Sequence, residues 1–143
     1  MAIAPAAAQH LARSQEHQKA AELLEAGGNE WAVVAYFYSA YRAVRAAMQN
    51  DPRLNGDAVA RGTDPAFSAS TRHVEHHRYH PSRGPGINDI VKVLYPSVGA
   101  KYELLHIASI GVRYESGLQG GTVADVKGLV DDVMAELKSQ GVI

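Results

Sequence analysis

The chain contains no cysteine. Disulfides, thiolate chemistry and zinc sites built on cysteine are therefore excluded. It also lacks any apolar run long enough to span a bilayer. The opening "MAIAPAAAQHLARS" has no basic segment followed by an apolar core, so it does not read as a secretion signal. A cytoplasmic protein without a membrane partner is expected. Strong net charge is missing too: 14 basic side chains face 15 acidic ones, for a net −1. A general nucleic-acid sponge would be far more basic. Strand alternation is the last absence, since no segment shows a sustained two-residue period.

What is present is helical punctuation. With 143 residues, 46% of them hydrophobic, the chain reads as one domain, 1–143, able to close a single core. A first helix is expected from about Gln9 to Ala26, stopped by Gly27-Gly28. Asn29 is a good cap for the next, with Glu30 at the positive end of its dipole. In "EWAVVAYFYSAYRAVRAAMQN" the stripe Trp31, Val34, Tyr38, Tyr41 and Met48 is widened by Phe37 and Val44, as in a helix buried on most sides. Residues 51–70 read as a long polar loop, the first part of a 51–86 link that ends in "HPSRGPG". Ile87, Ile90, Val91 and Leu94 then space one short helix, with Pro96 as its stop and Ser97 as cap of the next. That next helix, about Val98 to Glu115, puts Leu105, Ala108 and Val112 on one face, and Ser109 and Gly111 leave room for a neighbouring backbone. Thr122 with Asp125 resembles a capping box, and Val126, Leu129, Val130, Val133 and Leu137 give the last helix an apolar face closed off by Gly141. The expected fold is all-α, an antiparallel bundle of four to five helices.

Charge is uneven along this frame. Residues 42–83 carry seven arginines against four acids, whereas both flanks are net acidic. At the centre of the basic third lies "TRHVEHHRYH", residues 71–80, with four histidines and two arginines. Three chemistries fit it. Imidazoles near neutrality can move the protons of RNA cleavage while an arginine holds the phosphate. On one ideal helix, however, Arg72 and His77 would lie about 140° apart, so a chain break or a second subunit must bring them together. Alternatively, if 73–80 were helical, His73, His76, His77 and His80 would share an arc of about 100° and could bind a transition metal. Pro81 and the lack of a carboxylate in that arc count against a built metal site. The plainest alternative is a solvated link whose histidines stack, cap helix ends or pair with acids.

Three segments together resemble the HEPN superfamily of small helical bundles. They are "AYFYSAYRAVRAAM", the histidine-bearing link with its short apolar helix, and "YELLHIASIGVRYESG", with Tyr102, Leu105, Ser109 and Arg113-Tyr114 at family-like spacing. The resemblance covers residues 14 to 138. It implies a homodimer and, in the family's active members, metal-independent RNA cleavage by an arginine and a histidine four to six residues later. Arg72 and His77 satisfy that spacing, with His73 as the polar follower. The family motif usually lies late in the bundle, near Arg113, but His106 is the last histidine of this chain. The resemblance thus implies Arg72 and His77 as catalytic residues, with His73, Arg78, His80, Arg42, Arg45 and Tyr114 as substrate-binding groups.

The expected function is an RNA- or nucleotide-interacting dimer needing no cofactor and no metal, with ribonuclease activity as its sharp form. The alternative is a non-catalytic regulatory module that meets a host or antitoxin protein, in a phage or other mobile element. Structural roles stand beside each assignment. The aromatics of the second helix serve core or dimer interface; Arg42 and Arg45 cap carbonyls or pair with acids; Arg113 bridges helices while Tyr114 closes the bundle. "GLQGG" lacks the strand context of a nucleotide-binding loop.

Overall fold

The structure, a computed structural model, describes residues 3–143. Among them are six α-helices and no strand: α1 Pro5–Ala26, α2 Ala32–Asn50, α3 Asp57–Thr63, α4 Ile87–Leu94, α5 Pro96–Tyr114 and α6 Val123–Ser139. The all-α bundle expected from the sequence is present. Its additional member is α3, which with 3-10 turns at Pro52–Leu54 and Ala69–His73 occupies the stretch read as a polar loop. Only Ala60 of α3 is buried, and Pro52, Gly56, Gly62 and Pro65 crowd around it, so no apolar period announces it.

Helix α2 is the hub. Thirteen of its 19 residues are buried, and α1, α5 and α6 all pack on it. Helix α1 meets it through Ala7, Ser14 and Ala21, seven residues apart and small enough for close approach; the Ser14 hydroxyl donates to the Ser39 carbonyl at 2.7 Å. Asn29 caps the turn into α2 by accepting the Trp31 N–H at 2.9 Å. Glu30 departs from expectation: its carboxylate accepts the Leu118 amide in the turn after α5. Trp31 also leaves the expected stripe and is 51% exposed, since it sits at the helix entrance rather than within it.

Helices α4 and α5 are separated by Tyr95 alone. Pro96 begins α5 rather than merely ending α4, because proline at the first helical position gives up an N–H that would be unpaired anyway; Ser97 therefore does not cap. Gly111 lies where a Cβ would come within 2.8 Å of the Gly117 carbonyl oxygen, so the expected close backbone is the chain's own turn. The Thr122–Asp125 box forms as read, each residue bonding the other's amide, and Val126, Val130, Val133 and Leu137 are buried.

Candidate functional site

The link runs across α2 and α5 without forming a helix between His73 and Gly86. Two backbone bonds hold it. The first amides of α4, which have no partner inside the helix, donate outward: Ile87 N–H to the His76 carbonyl and Asn88 N–H to the His77 carbonyl, both at 2.9 Å. Gly86 makes this approach feasible, since a Cβ there would lie 2.5 Å from the backbone of His77 and Arg78. The Asp89 carboxylate accepts the Gly86 amide at 2.9 Å and completes the cap.

So held, the half-buried His77 ring lies among Tyr41, Phe37 and His106, with centroids 5.4, 5.7 and 4.5 Å away. Its Nδ1 is buried with no hydrogen-bond partner in the protein. His106 is buried behind it, stacked on Phe37, with Nδ1 3.0 Å from the Asn88 side-chain Nδ2. Burial pushes the His77 pKa down, and Arg113, Arg78 and His76 push the same way. Burial likewise takes His106 down to about 4, aided by His77, Arg78 and Arg113. Both rings are neutral near pH 7.

Arg113 acts on both rings, and Arg45 and Arg42 lie against the neighbouring Tyr41 ring. Arg45 lies over the Tyr41 ring at 5.6 Å, reaches the Tyr41 hydroxyl at 3.4 Å and pairs with Glu75 at 3.5 Å. Arg113 donates to the Tyr38 hydroxyl at 3.0 Å, bridging α5 to α2 as expected, and lies over the rings of Tyr38 and Tyr114. Arg42 meets His10 of α1 at 3.1 Å and lies 5.9 Å from the Tyr41 ring. Cations at these distances are held by the ring faces. Among the described residues Glu75 is the carboxylate that ion-pairs with one of the three, Arg45.

The remaining assigned residues are placed elsewhere. Arg72 donates to Asn55 Oδ1 at 2.6 Å and approaches the Asp51 carbonyl at 3.5 Å; no contact joins it to His77. His73 meets Gln49 at 3.3 Å. His80 accepts the Ser82 amide in an exposed turn closed onto Gly84. His76 contacts the Gly84 carbonyl at 3.1 Å. The four histidines thus face different partners, and the helix that a four-imidazole arc requires does not form; among the described residues no three such groups converge. Arg78 is exposed but within electrostatic reach of His77 and His106. Tyr114, the last residue of α5, is 75% exposed and lies under Arg113 instead of closing the bundle.

His10, His17 and His106 escaped the sequence reading. His10 and His17 stand seven apart on α1, hence on one stripe, opposite the Tyr38–Arg42 pair of α2; that spacing was the available signal. The cluster offers stacking surfaces, phosphate-binding forks and neutral imidazoles able to exchange protons. Comparison with protein-family models, curated proteins and solved structures finds no match to the chain.

Proposed function

We propose that this protein binds RNA or a nucleotide on the face where α2, α5 and the link meet. One observation carries the reading: His77 lies against the rings of Tyr41 and Phe37, with Arg45 over Tyr41 and Arg113 over Tyr38 and acting on His77. Single strands are taken up by that combination of cations along a backbone and aromatic faces under bases. The resemblance to HEPN bundles supports the same class. In its sharp form the protein cleaves RNA without metal, His77 moving the proton and an arginine holding the phosphate. Within one chain Arg113 and Arg45 serve that role better than Arg72, which is turned toward Asn55. A two-fold dimer is part of the proposal if Arg72 takes part, for only a second copy could bring it to His77.

The test is a titration of labelled single-stranded RNA at several salt concentrations, with EDTA present. Salt-sensitive binding is expected, and Arg113→Ala should weaken it while lowering the salt slope by about one. Cleavage that survives EDTA and vanishes in His77→Ala would establish the catalytic form. Absence of any salt-dependent RNA or nucleotide binding by folded protein overturns the proposal. A second reading has its own observation: half-exposed Leu104 and Ile107 rim a groove of about 180 Å³ with Leu118, Val126 and Leu129, as in a non-catalytic protein-interaction module.

A further inference from the structure

A cleft of about 490 Å³ opens between α1 and α2, lined by Gln9, His10, Ala12, Arg13, Glu16 and Arg42. The contact at its floor fixes a tautomer. Arginine only donates, so His10 Nδ1, 3.1 Å from Arg42 Nη1, accepts. The neutral ring then carries its proton on Nε2, leaving a second donor beside the guanidinium. Neighbouring charges are distributed unequally. Arg13 is matched by Glu16 at 3.1 Å, and Arg45 by Glu75 at 3.5 Å. Arg42 has no carboxylate partner among the described residues, and its Nε is buried without an acceptor. A partly desolvated guanidinium without a counter-ion is costly, and an anion accepting from it and from an adjacent imidazole removes that cost.

We infer that His10 and Arg42 form a phosphate subsite, which takes the phosphoryl group of a nucleotide or of an RNA strand bound on the adjoining face. The identity of the larger ligand rests on the function proposed above; the phosphate chemistry does not. Binding is coupled to a proton. Burial, Arg45 and Arg42 keep free His10 neutral, with a pKa of about 4, against the opposite pull of Glu75. His17 on the same stripe is also held neutral, chiefly by burial and Arg42, so it adds no competing positive charge near pH 7. An arriving phosphate anion favours the imidazolium, which releases the Nδ1 contact to Arg42, so the proton adds affinity only as pH falls through the bound-state pKa toward the free value of about 4.

The imidazole signals of the full chain, followed by NMR, test this with inorganic phosphate added at constant ionic strength. The His10 signals should shift saturably, with their titration midpoint raised by about one unit. Arg42→Gln should weaken the response about tenfold, and Arg42→Lys, which keeps the charge but not the fork, should weaken it by an intermediate factor. A response no larger than that to chloride overturns the subsite. Comparing 5′-phosphorylated with 5′-hydroxyl RNA separates the sources: a preference for the former that Arg42→Gln abolishes assigns a strand end. Saturable phosphate binding with no RNA or nucleotide binding keeps the subsite and ends the broader function. RNA binding with silent His10 signals does the reverse.

Discussion

Asp51 receives four hydrogen bonds in the interior: the Arg53 amide at 2.9 Å, Arg53 Nε at 3.1 Å, Arg53 Nη2 at 2.8 Å and the Tyr95 hydroxyl at 2.8 Å. Burial alone would raise its pKa, but the bonds from Arg53 and Tyr95 outweigh burial and hold the carboxyl below its usual value. Its stabilisation is therefore complete above the ordinary carboxylate pKa and is lost as pH falls through the lower folded-state value. Asp51→Ala should cost about 2 kcal/mol in urea unfolding at pH 7, less than for a fully buried pair because the Arg53 side chain is 42% exposed. An unchanged unfolding midpoint would contradict this account. In the sequence Asp51 is one more polar residue before a proline. Its burial depends on Tyr95, 44 residues away, which no local pattern reveals.

At the scale of elements, the apolar helices were legible and the link was not. Ile87, Ile90, Val91 and Leu94 are all buried as their spacing predicts, because a periodic face needs only its own helix to be recognised. The path of 74–86 is decided by tertiary bonds, chiefly those from Ile87 and Asn88 to His76 and His77. Gly86 is the residue on which that path turns. Gly86→Ala places a methyl group against backbone that cannot yield like a side chain, so a loss of about 1–3 kcal/mol is expected. Hydrogen exchange should show faster exchange at the Ile87 and Asn88 amides than at amides within α2. Equal protection in variant and parent would mean that the link is held by other contacts.

For the whole molecule, the packing draws four histidines from α1, the link and α5 toward α2 and its arginines. Burial comes first among the causes that lower the pKa values of His10, His17, His77 and His106, with His10 and His106 brought to about 4. The unfolded chain, with imidazoles near 6.5, therefore binds protons that the folded chain refuses. Stability is complete above about pH 6.5 and declines as pH falls toward 4, before most carboxylates titrate. Thermal melting at pH 7.5, 5.5 and 4.5 should show falling midpoints, and His106→Asn should reduce the slope. A midpoint constant down to pH 5 would indicate that these rings are solvated.

The sequence by itself determined the helical class, the order of the main helices, the Thr122–Asp125 cap and the concentration of arginine in the middle third. Each is written in neighbouring residues, through a 3.6-residue period, a capping pair or local composition. Only the tertiary structure decided that His10 meets Arg42 and that His77, His106 and Arg113 come together while Arg72 turns toward Asn55. Those contacts join positions as far apart as Tyr38 and Arg113, 75 residues along the chain, through helix packing and one glycine-dependent turn. Distances set across an interior leave no trace in the spacing along the chain.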